Sequence, residues 1–557
     1  MKNTYKNIKR SREIVGVLIK HGLGYVFDQP QMERYLDISN KFFQRKGADK
    51  TLEKYTLEQR TRMALEDLGP AFIKLGQVVS THPDLASPEM IEELSKLQDK
   101  ISPIPTEIIK SEIESELHRP VEELFASFNE KPLAAASLSQ VHKARLKTGE
   151  VVAVKVQRPG ITATVENDIS ILYELVGLLE SKWAKAASYS PKEFVDEFAD
   201  TIRAEMDFSL EAKNAEKFAA NFKDVPRVKI PEVYRDFTTP KILVTEFIAG
   251  VKISKVAKID GERFDKHLVA ASGMDMTLRQ IFVDGFFHGD LHPGNIFVMP
   301  GNVIALIDFG MVGRLDRETM RSLSDVLMSL TKLNAEGIVK GLERMEIIGV
   351  DTDTRKFKKE INRLIDRYYG LELHEMRVGE ILTDVMEVIR KNNIRIPSEF
   401  ALLFKTLITA EGTARGLDPD FDMVAHIQPF VREMVKKKYS PEKILKDSGN
   451  FAENAIDVIR KMPDNVDWLF RSLKQGKLFI GLEHHGLEKM DATIDRASNR
   501  LSLSLIISAM IVGSSLIMTV DKGPQFFGYS ALGIAGFLFA AVLGLGLVVS
   551  IIRGGRF

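Results

Sequence analysis

The sequence predicts an α+β chain. A small mixed lobe precedes a larger helical lobe, with a helical extension in front and two membrane-length helices at the end. Three observations predict it. Short β-forming runs lie between Leu133 and Gln157 and again between Ile230 and Phe247. Helical periodicity with dense charge then holds from Arg314 to about Asp491. Finally, Leu501–Val520 and Phe526–Ile552 run for 20 and 27 residues without a charge. Each meets the roughly 20 residues needed to cross ~30 Å of hydrocarbon.

Composition narrows the classes. At 557 residues the chain exceeds the roughly 100–200 of a single domain, so two or three units are expected. Lys+Arg and Asp+Glu both number 77, so no global field favours nucleic acid. There is no cysteine. This excludes disulfides, thiolate zinc sites and cysteine nucleophiles, and it fits a reducing compartment.

The elements follow in order. Residues 1–60 read as helical and basic on one side, with Ile8, Ile14, Val15, Val17, Leu18 and Ile19 among lysines and arginines. That pattern suits a membrane-surface helix or one packed on its own domain. The basic amino terminus lacks an apolar core and a small-residue cleavage site, so it is not a secretory signal. Amphipathic helices continue over 61–128, broken near Ser102-Pro103-Ile104-Pro105 and resumed by an acidic helix, which makes 1–128 a helical extension. Within the small lobe, 129–250, strands Leu133–Arg145 and Val151–Gln157 flank a Lys147-Thr148-Gly149-Glu150 turn. Helices fill 162–223, and Ile230–Val233 and Ile242–Phe247 read as strands. The larger lobe spans 251–490. Over 500–553 the two apolar spans (501–520 and 526–552) flank Asp521-Lys522-Gly523-Pro524-Gln525 and should form a hairpin. Gly533, Gly536, Ala540 and Gly544 offer a small face for close helix packing. Arg496 and Arg500 before the hairpin, and Arg553 and Arg556 after it, place the outer ends and the roughly 500-residue remainder on the cytoplasmic side. The alternative is a buried apolar helix pair.

The chemistry rests on Lys155, Asp290, Asn295 and Asp308. Lys155 lies in Val-Val-Ala-Val-Lys-Val, Asp290 and Asn295 in His-Gly-Asp-Leu-His-Pro-Gly-Asn, and Asp308 opens Asp-Phe-Gly. A protein-kinase-like bilobal fold needs a strand lysine on the phosphates, a catalytic-loop aspartate and an asparagine five residues on. It also needs a metal-binding aspartate beyond them. Taken in this order, the residues predict a Mg2+–ATP site. Asp290 would orient or deprotonate an attacking hydroxyl or water, while Asn295 and Asp308 supply hard oxygen ligands for Mg2+. His288 and His292 read as structural. The phosphate loop is expected in Leu133, Ala134, Ala135, Ala136, Ser137, Leu138, Ser139, Gln140 and Val141, where alanines replace the usual glycines. Alanine permits close approach but not positive φ, so this loop should be stiff. Glu246 and Ile248 are further candidate nucleotide contacts. Glu483-His484-His485 has no partner cluster with zinc spacing and reads as a solvated face. The lysines at 436–438, 474 and 477 read as solvated, or as headgroup contacts near a bilayer.

These residues resemble the UbiB/AarF family of atypical kinase-like proteins over about residues 70–320, and the terminal hairpin is typical of its bacterial UbiB members. The marks are Lys74-Leu75-Gly76-Gln77, the alanine-rich loop, Glu205-Met206-Asp207 and His288 to Asn295. The resemblance implies that the helix carrying Lys74 and Gln77 folds over the site and blocks protein substrates. It also implies Glu205 as the ion-pair partner of Lys155, with Glu211 in reserve. Departures from protein kinases agree: no Ala-Pro-Glu anchor follows Asp-Phe-Gly, and His-Gly-Asp replaces His-Arg-Asp. The expected function is a membrane-anchored atypical kinase-like ATPase supporting ubiquinone or other isoprenoid quinone biosynthesis at the bacterial cytoplasmic membrane. Membrane lipids, isoprenoid quinone precursors and quinone-biosynthesis enzymes are the partners implied, with homodimerisation open through the small-residue helix faces. The alternatives are a small-molecule phosphotransferase of the aminoglycoside/choline-kinase type and a nucleotide-gated, non-catalytic scaffold.

Overall fold

Amphipathic helices close over one another before any strand appears. The computed structural model describes residues 2–23, 54–82, 85–97, 102–183, 191–259, 263–331, 334–349, 352–368, 377–392, 394, 396–438, 487–519, 524–526 and 529–553. The chain forms two units, Met1–Asp447 and Ser448–Phe557. The first begins with α1 (Lys2–Lys20), α2 (Leu57–Leu68), α3 (Pro70–Val79), α4 (Pro88–Leu94), α5 (Thr106–Leu117) and α6 (Val121–Leu124). Thr56 and Gln59 cap α2 reciprocally. Gly69, at φ +97°, ends that helix, and Pro70 starts the next. Ile14 of α1 is buried with Leu68, Phe72, Val165 and Ile169, and Arg10 holds the buried Asp168 at 2.8 Å. The side of α1 around Ile14 thus packs on its own unit, as the second of the two readings expects.

The small lobe is a sheet of β1 (Phe125–Phe128), β2 (Ala134–Ala135), β3 (Ser139–Leu146), β4 (Val151–Gln157) and, after α7 (Ile161–Trp183), α8 (Pro191–Met206), α9 (Phe208–Asn221) and β5 (Val228–Lys229), β6 (Ile242–Glu246). The sheet order is β1-β3-β4-β6, with β2 on β3. Val152, Val154 and Val156 are fully buried against Ile109 and Ile113 of α5. Each such side chain contributes roughly 1.5–3 kcal/mol by leaving water. A partly exposed ion pair contributes about 0–1 kcal/mol, so the valines fix the register. The period of two then turns Lys155 to the opposite face, paired with Val141 and Leu243 across the sheet. Two expectations change. Phe125–Phe128, read as the tail of an acidic helix, is an edge strand whose Phe125 enters the apolar core. Ile230–Val233 is reduced to a lone bridge at Val233, because Pro231 cannot donate to a ladder.

Gly250 carries the chain into the larger lobe; a Cβ there would lie 3.0 Å from the Val298 carbonyl. The lobe opens with β7 (Val251–Lys252), α10 (Ile253–Val256) and α11 (Lys266–Arg279). β8 (Phe286–His288), β9 (Ile296–Met299), β10 (Val303–Leu306) and β11 (Val312–Arg314) follow. Then come α12 (Arg317–Thr331), α13 (Ala335–Arg344), α14 (Thr354–Tyr368), α15 (Val378–Lys391), α16 (Ser398–Leu417) and α17 (Met423–Lys438). Strands β9 and β10 form a hairpin, and β11 lies antiparallel to β8 with Val312 opposite His288. Only residues 311–316 separate Gly310 from α12.

The second unit contains α18 (Leu487–Met518), a two-stranded turn of β12 (Gln525–Phe526) and β13 (Tyr529–Ser530), and α19 (Ala531–Arg553). Ser498–Met518 and Ala531–Val548 are long and apolar enough to cross a membrane, with mean hydropathies of 2.1 and 2.4. Ala540 and Ser514 are buried where the helices meet, and a Cβ at Gly533 would lie 3.1 Å from the Ser514 carbonyl. The turn at 521–523, Arg556, the clusters at 474, 477 and 483–485, and the side chains of Lys436, Lys437, Lys438, Arg496 and Arg553 lie outside the described residues.

Candidate active site at the lobe interface

Lys155 Nζ lies 2.8 and 3.0 Å from the two carboxylate oxygens of Glu211 and 3.6 Å from Asp308 Oδ1. Its ammonium also stands 5.1 Å over the Phe208 ring. Burial alone would lower the Lys155 ammonium, but Asp308 and Glu211 outweigh it and hold it above the usual lysine range. Lys155 in turn holds the Asp308 carboxyl below the usual aspartate range. Burial pushes Glu211 up to about 7 against the pull of Lys155. One cation therefore organises two carboxylates from different lobes. Asp308 is held at φ +66°, a left-handed conformation rare outside glycine. The Gly310 N–H donates to its Oδ1, and a Cβ at Gly310 would come within 3.3 Å of that oxygen.

The catalytic loop leaves β8 at His288. His288 is fully buried and stays neutral, its value lowered by burial. Its Nδ1 accepts the Asp290 N–H at 3.1 Å, and its Nε2 reaches the Ile307 carbonyl at 3.4 Å. His292 likewise accepts the Gly294 N–H. Both histidines hold backbone. Asn295 Nδ2 donates to the Asp290 carbonyl and to Asp290 Oδ2, at 3.1 and 3.2 Å, which leaves the Asn295 side-chain oxygen for a cation. Phe309 packs on Phe218 in a tilted pair and edge-on to His288, with centroids 5.2 and 5.7 Å away. Asn214 donates to the Phe309 carbonyl at 3.0 Å. This aromatic column fastens Asp308 to the same core as Asp290.

The donor set suits Mg2+. Asn295 and Asp308 are two hard oxygen donors, and no group of three or more His, Cys, Asp or Glu residues occurs among the described residues. Mg2+ is commonly held by one or two carboxylates, substrate phosphates and water.

The alanine-rich turn lies at the end of the β2–β3 hairpin, closed by the Ala136 N–H on the Ser139 carbonyl. No residue from 133 to 141 has a positive φ. Leu138 enters the helical core beside Phe72, and Gln140, fully buried, pairs with both backbone groups of Ile104. Those two side chains are committed to the protein's own interior. Ser137 Oγ is buried without a hydrogen-bond partner. That hydroxyl is open to a ligand. At the lobe connection Glu246 is drawn to Lys229 at 2.6 Å, and Ile248 is buried, so only their backbone groups suit an adenine edge.

Three comparisons bear on this geometry. A family model for the ABC1 atypical kinase-like domain matches residues 96–342. Models for a UbiB helical domain and an ABC1/UbiB kinase-like C-terminal domain match 361–422 and 485–553. A Clostridium pasteurianum protein, described as an uncharacterized protein in the hydrogenase 1 5' region, is 32% identical over 99% of both chains. A Marinobacter nauticus protein named probable protein kinase UbiB is 34% identical over 73% of this chain and 75% of its own. Its namesake from Pseudomonas aeruginosa is 33% identical over 83% and 88%. This chain belongs to the ABC1/UbiB family of atypical kinase-like proteins. Its fold is correspondingly kinase-like. A solved Mycobacterium tuberculosis protein in complex with erythromycin covers 64% of this chain and 90% of its own, at 24% identity and a TM-score of 0.48.

Within this UbiB-family site Lys155 meets Asp308 across the lobes, and Asn295, which holds Asp290, accepts the N–H of Ile307 next to Asp308. The partner of Lys155 needs correcting, because it is Glu211 and not Glu205. Sequence periodicity treats the two glutamates as neighbours on one helix, but Asp207 ends α8 and caps α9 through the Ser209 N–H. Phe208 and Ala212 then pack α9 against Leu243 of β6, which aims Glu211 at β4. Glu205 instead pairs with Lys74 at 2.5 Å and lies beside Gly310. Lys74 thus reaches the site, and its charge helps to lower Asp308. Gln77, one turn further along α3, donates to the Leu97 carbonyl at 3.3 Å. Sequence reasoning missed Asn214 and Lys405. Lys405 stands 115 residues from Asp290, in a helix that no nucleotide motif marks.

Proposed function

We propose that this UbiB-family protein is a membrane-anchored, Mg2+–ATP-dependent enzyme that turns over ATP in support of isoprenoid quinone biosynthesis and does not phosphorylate proteins. The observation carrying this reading is the convergence of Lys155 and Asp308 at 3.6 Å, with Asp290 and Asn295 hydrogen-bonded beside them. When bound, Mg2+ would supply positive charge that offsets the charge developing during transfer. Lys155 would then hold the α/β-phosphates, Asn295 and Asp308 the metal, and Asp290 the proton of the attacking oxygen. Two features support a non-peptide acceptor. The six residues between Gly310 and α12 are too few for a peptide-docking segment, and Lys74 spans to Glu205 beside the site. The two apolar helices support membrane anchorage, which suits lipid-soluble precursors, and the quinone assignment follows from the resemblance to the UbiB/AarF family alone.

Full-length protein in anionic vesicles should hydrolyse Mg2+–ATP, and Asp308→Asn should lose about 10²–10³-fold in kcat, the scale of removing one preorganised electrostatic group. Wild-type protein without metal-dependent turnover would sink the enzymatic reading. γ-Phosphate recovered on an extracted metabolite would convert it to small-molecule phosphotransfer, and normal quinone content in a deletion strain would remove the pathway.

A further inference from the structure

The catalytic loop is covered by a helix outside the kinase-like segment. α16 belongs to the helical domain matched at 361–422, and one of its turns rests on three consecutive loop residues. Thr406 Oγ1 donates to the His288 carbonyl at 3.2 Å. Lys405 Nζ lies 3.5 Å from Asp290 Oδ1. Between them a Cβ on Gly289 would lie 2.6 Å from Leu402. Positions 402, 405 and 406 share a helical face, so this is a built contact, and the glycine of His-Gly-Asp is what makes room for it.

Phosphoryl transfer needs positive charge around the transferring group. Lys155 is already committed to Glu211 and Asp308, and His292 is committed to the Gly294 N–H. On the Asp290 side, among the described residues, α16 supplies a cation at 3.5 Å. We propose that Lys405 is a catalytic residue contributed by the helical domain, whose ammonium steadies ionised Asp290 and contacts the γ-phosphoryl group during transfer. In that step the acceptor oxygen bonds to the γ-phosphorus as its bond to the β-phosphate oxygen breaks. The bonding pair leaves on that oxygen, the acceptor's proton passes to Asp290, and Lys405 keeps its protons. The helical domain thereby becomes part of the active site. This inference rests on the ATP-turnover reading above.

The test compares full-length wild type, Lys405→Gln, Lys405→Arg and Asp290→Asn in vesicles, reading Mg2+–ATP turnover, fluorescent-ATP affinity, Tm and binding of ADP with aluminium fluoride. Lys405→Gln should lose about 10²-fold in kcat and bind ADP–aluminium fluoride weakly, with ATP affinity within about twofold and Tm unchanged, and Lys405→Arg should recover most of the loss. Two results overturn the inference alone: near-normal turnover by Lys405→Gln beside an inactive Asp290→Asn, or parallel losses of Tm and ATP affinity without rescue by arginine. An inactive wild type overturns the ATP reading and the inference with it.

Discussion

His288 shows how a side chain outside the chemistry sets the geometry of one within it. Its Nδ1 accepts the Asp290 N–H while its Nε2 reaches toward the Ile307 carbonyl, an arrangement open only to the neutral ring. Protonation would remove the acceptor and place a charge in the aromatic column beside Phe218 and Phe309. Because burial lowers its value below the ordinary 6.5, the unfolded chain takes up a proton before the folded one does. The stability that neutral His288 contributes is therefore present above about pH 6.5 and lost as pH falls through the lowered folded value. His288→Asn keeps an acceptor near the Nδ1 position and removes the titration. As pH is lowered from 8 to 5, the Tm of the wild type should fall more steeply than that of His288→Asn. Parallel curves would mean that the ring titrates alike in both states.

Contacts between elements explain substitutions that look, in the sequence alone, like losses. His-Gly-Asp lacks the arginine of protein kinases, and the space over its glycine is taken by a packed helix. Gly289→Ala should press a methyl group into Leu402 at 2.6 Å and lift α16 from the loop. Overpacking of this kind costs roughly 1–3 kcal/mol. Leu402→Ala removes the opposing atoms, so the double variant should be more stable than the sum of the single losses predicts. Chemical denaturation of the four proteins measures that coupling. Additive losses would mean that α16 does not rest on Gly289 in solution. The same scale explains the glutamate correction. Glu205 and Glu211 differ by six positions, within two turns of a continuous helix, and only the break at Asp207 sends them to different lysines. A helix cap inside a charged run is a weak signal, whereas the valine alternation around Lys155 is strong.

For the molecule as a whole, the parts legible in the sequence were those carried by local spacing: the strand lysine, the Asp290–Asn295 interval, the Asp-Phe-Gly turn and the two apolar helices with their glycine seam. Docking between distant segments was not legible, since nothing near residue 405 or 214 announces which loop it will touch. Both spans expose large apolar side chains such as Leu505 (70%) and Leu532 (72%). Burial of each such side chain is worth roughly 1.5–3 kcal/mol, so a hydrocarbon environment is strongly favoured over water. On the proposed membrane anchorage, the basic residues at the outer ends of the hairpin would turn it away from the cytoplasm. The absence of cysteine makes this testable without background, because any introduced thiol is the sole one in the chain. Gln525→Cys, in the turn, should react with a membrane-impermeant maleimide in intact spheroplasts. Lys340→Cys, an exposed site on α13 of the kinase-like unit, should react only after permeabilisation. Labelling of both sites only after permeabilisation would show that the hairpin lies on the membrane without crossing it.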